Sequence, residues 1–424
     1  MRVNAAVMRL LSSMRFPSSL LTALALCASL LLTACGGGGS APPAPLGVSL
    51  PNAAIGDNVA VVSIRQLESN TATLTANTPY VSVTVCDTAG NCQTIPDVMV
   101  DTGSAGLRLF ANKVTLGLPA VTSGSGNLAA CAQFASGYAW GSMHMATVRI
   151  AGESTTQAIP VQFMNDPALP AAPTTCTSQG IDFAARFAPV ANGILGISNF
   201  IHDCGVGCTS STPANQRPAM YYSCSGGAAG TCTAVAAELN QQGTNPISAF
   251  AVDNNGSILT LPAVPVPEGA ISATGTLAFG IGTQSNNALP AGAQIFPIGQ
   301  DAYVNGMIDG VSGRGFIDSG SNGYFLDLDP SVPLCTPDQP SSWYCPSSPL
   351  SLSVQLQGST STQAITIGNA NAMFKTQYTA LPALGGTAAI ANFADLGLPF
   401  FYGRPIATGL EGSSANTPYG YWAF

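Results

Sequence analysis

Val98-Met99-Val100-Asp101-Thr102-Gly103-Ser104 and, far downstream, Gly315-Phe316-Ile317-Asp318-Ser319-Gly320-Ser321 spell nearly the same thing. Each is an apolar strand end that delivers one aspartate into a Gly-containing turn. Asp-Thr-Gly-Ser taken once is ordinary turn chemistry in a chain rich in Gly, Ser and Thr. Two copies, each after an apolar strand and each followed by an apolar run (Leu107-Arg108-Leu109-Phe110 and Tyr324-Phe325-Leu326), point instead to two carboxylates brought face to face.

Two carboxylates that close cannot both ionise comfortably, so they share a proton. One accepts a proton from water while the other donates to a carbonyl oxygen, and the pair titrates as a unit. The neighbours suit that task. Gly103 and Gly320 let the backbone approach each carboxylate. Thr102 and Ser319 carry hydroxyls able to reach the opposite loop, and Ser104 and Ser321 can hold the outer carboxylate oxygens.

Working outward, each aspartate is preceded by strand, turn, strand. Tyr80 to Val85 alternates, Cys86 to Cys92 forms a turn, and Thr94 to Val100 returns to Asp101. Tyr303 to Ile308 and Gly315 to Ile317 repeat the pattern before Asp318. Between them, Ala146 to Ala151 reads as strand then turn, and Gly193 to Ile197 as an apolar strand. Residues 202 to 232 read as a stapled surface loop, and Ala234 to Gln241 as the best short helix. Ile247 to Val252, Ser257 to Leu261 and Gly275 to Phe279 read as strands, with Asn255-Gly256 as a hairpin turn. The Gly/Asn/Ser stretch Gly280 to Asn287 marks a boundary between lobes.

The whole chain agrees. Its 424 residues are 46% hydrophobic and only 8% charged, with 46 Gly and 31 Pro, which favours short strands and many turns over helices. A chain of that length buries more than one core, so the expected class is mainly β in two lobes. With two histidines, His144 and His202, there is little material for serine-histidine chemistry. His144 reads as a strand residue, Asp327 and Asp329 as a solvated face, and Asp253-Asn254 as turn chemistry without the later ligands of a calcium loop.

The N-terminus reads as a processing segment. Arg2, Arg9 and Arg15 precede an apolar run from Ser19 to Leu32 that ends in Leu32-Thr33-Ala34-Cys35, which looks like a bacterial lipoprotein signal. Cys35 would carry lipid, with residues 36–48 as a Gly/Pro tether and glycine after the cysteine implying outer-membrane placement. Removing residues 1–34 takes away three arginines and no acid, moving the formal net charge from −8 to −11. Nine basic residues on such a chain form no phosphate-binding surface, so nucleic acid is excluded as a partner. Cys27 leaves with the signal, and ten cysteines remain. Close pairs Cys86/Cys92, Cys204/Cys208, Cys224/Cys232 and Cys335/Cys345 suggest local disulfides, leaving Cys131 and Cys176 to pair within the first lobe. A zinc site at His202, Cys204 and Cys208 is the alternative, disfavoured in an oxidising compartment.

At these residues the chain resembles the pepsin-like, two-lobed aspartic proteases. Ala191-Asn192-Gly193-Ile194-Leu195-Gly196 is similar to the Gly-Ile-Leu-Gly strand that runs beneath the aspartate loop in that family. Asp395-Leu396-Gly397-Leu398-Pro399-Phe400-Phe401 is its second-lobe counterpart, with Asp395 where an apolar residue is usual. Asn305-Gly306-Met307-Ile308 before Phe316-Ile317-Asp318 follows the family's strand order. The likeness runs from about Thr78 to the C-terminus. It implies a flap hairpin over the cleft, with Phe134 at the place of the family's tyrosine and Tyr138 and Trp140 nearby. Residues 36–64 hold no Lys or Arg, so no basic pro-segment neutralises the carboxylates.

The resemblance therefore implies a lipid-anchored aspartic endopeptidase in the cell envelope. Asp101 and Asp318 would be catalytic, an extended polypeptide would be the substrate, and the monomer would need no cofactor and no metal. Residues 1–35 would be signal and lipidated cysteine, 36–48 tether, 49–283 the first lobe and 284–424 the second. Two other readings compete: a catalytically inactive lipoprotein on the same scaffold that binds peptide or glycan, and an all-β envelope protein whose aspartates merely cap turns.

Overall fold

The computed structural model describes residues 46–68, 70–336 and 342–424; the signal segment, Cys35 and nearly all of the tether lie outside them. The chain is mainly β and two-lobed, as expected from its sequence. Among the described residues the strands form one sheet of eighteen and another of seven.

The first-lobe hairpin forms as read. Strands Pro79–Cys86 and Cys92–Asp101 pair antiparallel, with Cys86 opposite Cys92 and the two bonded. The chain then turns at the first aspartate into the strand Ala105–Phe110, every residue of which is buried. Gly193–Ile197 slots between these two, parallel to the aspartate strand and antiparallel to the strand that leaves it. The second lobe repeats this plan. Val304–Ile308 and Val311–Ile317 form the hairpin, Tyr324–Leu326 leaves the turn, and Phe393–Leu396 inserts between them in the same sense.

A continuous sheet also joins the halves. Gly256–Thr260 and Ala273–Phe279 pair with each other, and the former pairs with Pro405–Gly409 from near the C-terminus. Ile295–Pro297 pairs with Tyr421–Ala423 at the chain's end, so these late strands belong to the larger sheet. One apolar core runs beneath both lobes, from Val62 and Val83 to Phe400 and Trp422.

Three local readings are corrected. Ala234 to Gln241 is no helix: Val235 N–H donates to Tyr221 O and Ala237 N–H to Cys208 O, so the segment stays extended until a short 3-10 turn at Leu239–Gln241. Ile247 to Val252 is no strand, because Pro246 opens a 3-10 turn and the Asn245 side chain accepts from Ile247 N–H. Asn255-Gly256 makes no hairpin. The Asn255 side chain is tied to the Ile281 backbone, and a Cβ on Gly256 would lie 2.4 Å from Thr408 O, where the late strand passes. The loop over residues 202–232 also has more structure than expected. Tyr221–Ser225 and Thr231–Ala234 form a hairpin that extends the sheet beside Gly126–Phe134.

Ten cysteines of the described residues form five disulfides. Cys86 is bonded to Cys92, Cys131 to Cys176, Cys204 to Cys208, Cys224 to Cys232 and Cys335 to Cys345. The bonds differ in setting. Cys224 and Cys232 face each other across the Tyr221–Ser225 hairpin, so their bond ties two strands rather than a loose surface loop. Cys224 is buried against the sheet, whereas Cys232, on the outer strand, is only partly covered. Cys335 and Cys345 divide in the same way: Cys335 is buried, while Cys345 is partly exposed and its Sγ accepts from Asn371 N–H at 3.5 Å.

The bond between Cys131 and Cys176 closes the longest loop, 45 residues, and both of its cysteines are fully buried. Loop-closure entropy gives about 4 kcal/mol for such a loop and about 2 kcal/mol for a loop as short as Cys86 to Cys92. Replacing Cys131 and Cys176 with alanine should therefore lower the unfolding free energy roughly twice as much as the same change at Cys86 and Cys92. Denaturant midpoints of the two variants check that ranking.

Candidate active site

The two aspartate turns meet at the junction of the lobes through a crossed set of four hydrogen bonds. Thr102 Oγ1 donates to Ile317 O at 3.2 Å and accepts from Ser319 N–H at 2.9 Å. Ser319 Oγ donates to Val100 O at 2.8 Å and accepts from Thr102 N–H at 3.1 Å. Each hydroxyl thus uses its one hydrogen and one lone pair on the opposite turn. Thr102 is 1% exposed and Ser319 fully buried, so water cannot replace these bonds.

This lattice sets the carboxylates. Asp101 Oδ1 accepts from Gly103 N–H at 2.8 Å and its Oδ2 from Ser104 Oγ at 2.5 Å. Asp318 mirrors it, with Oδ1 on Gly320 N–H at 2.7 Å and Oδ2 on Ser321 Oγ at 3.0 Å. The glycines are needed for space, since neither has a positive φ. A Cβ on Gly103 would sit 2.6 Å from the Asp318 carboxylate, and one on Gly320 would sit 2.6 Å from Asp101 Oδ1. Each carboxylate lies against the other turn's glycine, which is what brings the pair face to face.

The strand beneath each turn contributes too. Gly196 and Gly397 leave no room for a side chain: a Cβ would approach Gly106 O to 2.7 Å in one lobe and Gly323 O to 2.1 Å in the other. Ser198 N–H donates to Ser104 O, and Leu398 N–H to Ser321 O, tying each turn to the end of the strand beneath it.

Burial, the charge of Asp101 and then that of Asp395 hold the Asp318 carboxyl well above the usual carboxylate range, opposed by the Gly320 N–H. Asp395, known from the sequence only as a departure from an apolar pattern, is 8% exposed and its Oδ2 lies 2.6 Å from Ser321 Oγ. A charged residue in a run that otherwise reads as core was the signal for it.

Of the residues expected in a flap, Phe134 ends the strand Gly126–Phe134 and pairs with Gly137 across the Ala135-Ser136 turn. Its ring packs on Phe183 at 4.9 Å and faces the Arg108 guanidinium at 5.8 Å. Tyr138 is tied by its N–H to Ile181 O, and Trp140 gives its indole N–H to Pro170 O. Among the described residues His202 joins no ligand cluster: Cys204 and Cys208 are bonded to each other, which removes the zinc alternative, and the ring meets Thr244 Oγ1. His144 lies in the strand Gly137–Ile150, bonded to Ser142 Oγ and Leu118 O.

Sequence reading missed Asn77 as well. Its backbone is left-handed and its amide is saturated, donating to Asn322 O and Leu381 O and accepting from Leu381 N–H and Tyr402 Oη. It thereby holds the segment after the second aspartate turn. An apolar cavity of about 390 Å³ lies beneath the second-lobe sheet among Phe316, Leu326, Leu352, Phe393 and Leu396, and neither Asp101 nor Asp318 lines it.

A family model described as "Protein of unknown function (DUF3443)" matches residues 54–424. No curated protein matches the chain. Among solved structures, the aspartic proteinase from Irpex lacteus is similar at 15% identity and a TM-score of 0.49, over 86% of this chain and 96% of that one.

The crossed lattice makes a testable claim. Thr102→Val keeps the shape but strands the buried Ser319 N–H and Ile317 carbonyl, and should cost roughly 2–3 kcal/mol. Because Thr102 and Ser319 share one network, Thr102→Val and Ser319→Ala combined should cost about 1 kcal/mol less than the sum of the two. Chemical unfolding of the two single variants and the double variant measures this, and strict additivity would mean the hydroxyls act independently.

Proposed function

This chain belongs to the DUF3443 family, and we propose that it works as an aspartic endopeptidase, hydrolysing extended polypeptide with Asp101 and Asp318. The observation that carries this reading is the mutual fit of the two turns, in which each carboxylate rests on the opposite glycine and is held by one backbone N–H and one serine.

A peptide carbonyl resists water unless the nucleophile is activated and the oxygen is protonated together. Asp318 has the buried carboxyl of Asp395 behind it across Ser321 Oγ, so the shared proton is assigned to Asp318 and the base role to Asp101. Asp101 takes a proton from a water molecule, whose oxygen bonds to the carbonyl carbon, while Asp318 gives its proton to the carbonyl oxygen. Collapse of the resulting diol breaks the C–N bond, the amine leaves with a proton returned through Asp101, and Asp318 regains its own. The proton count closes with these two residues and one water.

The proposal extends to the cell. Lipid on Cys35 would tether a monomer to the envelope at the outer membrane, the tether giving the cleft reach over polypeptides near the surface. The acidic chain offers nothing to nucleic acid.

The full chain in detergent, incubated with a denatured protein mixture from acid to neutral pH, should produce fragments. Asp101→Asn and Asp318→Asn should each lower that rate on the order of 10³-fold. A wild type that cuts nothing, or variants that cut as fast, defeats the endopeptidase and leaves the inactive peptide- or glycan-binding cleft in its place.

A further inference from the structure

The strands beneath the two aspartate turns share one register. Met99 faces Ile194 in the first lobe, and Phe316 faces Asp395 in the second. Asp101 follows Met99 by two residues, as Asp318 follows Phe316, so Ile194 and Asp395 occupy equivalent places. One is a fully buried isoleucine and the other a buried carboxyl.

Ser321 Oγ lies 2.6 Å from Asp395 Oδ2 and 3.0 Å from Asp318 Oδ2. A serine hydroxyl has one hydrogen, so it can donate to only one of these oxygens. The other contact needs a proton on the carboxyl itself. Asp395 Oδ1 is buried with no partner, an arrangement far more costly for a carboxylate than for a neutral acid. The first observation puts a proton on one of the two carboxyls facing Ser321, and the second assigns it to Asp395 Oδ2, donated to Ser321 Oγ, whose own hydrogen then reaches Asp318.

We infer that Asp395 is a third carboxyl of this site, a positioning residue that acts on Asp318 through Ser321 and keeps the shared proton of the pair on Asp318 to higher pH. When neutral, it turns the serine hydroxyl onto Asp318. When ionised, it draws that hydroxyl back and adds a negative charge behind Asp318, and both changes favour the protonated form there. Burial chiefly, opposed by the Ser321 hydroxyl and aided by the charge of Asp101, pushes the Asp395 carboxyl up to about 8. Its cross-strand partners, Phe316 and Phe325, do not titrate, so the ionisable groups facing it are Asp101 and, through Ser321, Asp318. The first lobe has no such device, since Ile194 stands there. The effect on rate rests on the endopeptidase reading, whereas the protonated carboxyl does not.

The test uses the full chain with Asp395→Asn, which cannot ionise but can still donate to Ser321, and Asp395→Ile, which copies the first lobe. In pH profiles of kcat and kcat/KM, the alkaline limb of both variants should move to lower pH by about one unit, a tenfold loss of rate beyond the limb. The acid plateau of Asp395→Asn should stay within about tenfold of wild type. A uniform loss with an unmoved limb would show a merely structural residue and overturn the inference.

A second measurement needs no activity. A carboxyl whose pKa is raised on folding stabilises fully below its unfolded value of about 3.9, and that contribution is lost as pH rises through its folded value. Denaturant midpoints of Asp318→Asn, compared with Asp318→Asn combined with Asp395→Asn, should therefore diverge in slope between about pH 4 and 8. Only the variant that keeps Asp395 should lose stability steeply over that window. Parallel curves overturn the inference; divergent curves beside a proteolytically silent wild type uphold the third carboxyl while the endopeptidase falls.

Discussion

Four hydrogen bonds between Thr102 and Ser319 and the turns that carry them, in residues 217 positions apart, hold this molecule's chemistry together. They form where the two lobes present equivalent turns to each other, and they are buried beyond the reach of water. Each bond adds only about 1 kcal/mol net, but any one left unmade strands a buried donor or acceptor at greater cost. The lattice therefore resists partial opening: the turns are either fully seated or apart. Seating them fixes the carboxylates, because each is bonded to its own turn's N–H and lies in the space left by the opposite turn's missing Cβ. Two glycines, a threonine and three serines thus convert a repeated word in the sequence into a pair of facing acids.

The likeness of the two turns hides a difference one strand away. Ile194 under the first turn leaves Ser104 with Asp101 as its carboxyl partner, whereas Asp395 under the second gives Ser321 two. In a pair that shares a proton, a small inequality in surroundings decides where the proton rests. Here the inequality comes from a buried group outside both motifs, in a strand that otherwise has to be apolar to pass beneath the turn. A buried acid with an unpartnered oxygen destabilises the fold. Such a cost is characteristic of sites rather than of cores.

Much of the fold could be read locally, because its determinants are local. The hairpin closed by Cys86 and Cys92, the apolar strands entering each aspartate and the glycines beneath them all announce themselves within ten residues. What could not be read depends on partners far along the chain. Ile247 to Val252 has the composition of a strand, but Pro246 and the Asn245 side chain commit it to a turn. Ala234 to Gln241 has helical composition, but its N–H groups are claimed by Tyr221 and Cys208. The spacing of Cys224 and Cys232 suggested a staple, but not that the staple crosses a hairpin, because that hairpin leans on Gly126–Phe134 nearly a hundred residues upstream. Asn77 looks like one polar residue among several, yet it meets backbone and side chain near residues 322, 381 and 402. The supporting roles of Thr102 and Ser319 were legible because a turn hydroxyl beside a repeated aspartate has few other uses. The weight of Asp395 became clear only once its register placed it behind Ser321.

The hairpin ending at Phe134 follows the same logic of long-range constraint. A flap that closed by a phenolic hydrogen bond would need a hydroxyl at its tip, and phenylalanine has none. Its ring is instead caught between Phe183 and the guanidinium of Arg108, seven residues after the first aspartate. Arg108 is itself buried and paired with Asp203, whose other oxygen accepts from Tyr221, whose hydroxyl accepts in turn from Gly243 N–H. Breaking such a pair on one side leaves an uncompensated buried charge, a penalty of about 3–5 kcal/mol. The cation therefore cannot move without dismantling the loop around it, and the ring resting on it inherits that rigidity. The hairpin tip is positioned from below, by a residue of the strand that leaves the first aspartate turn.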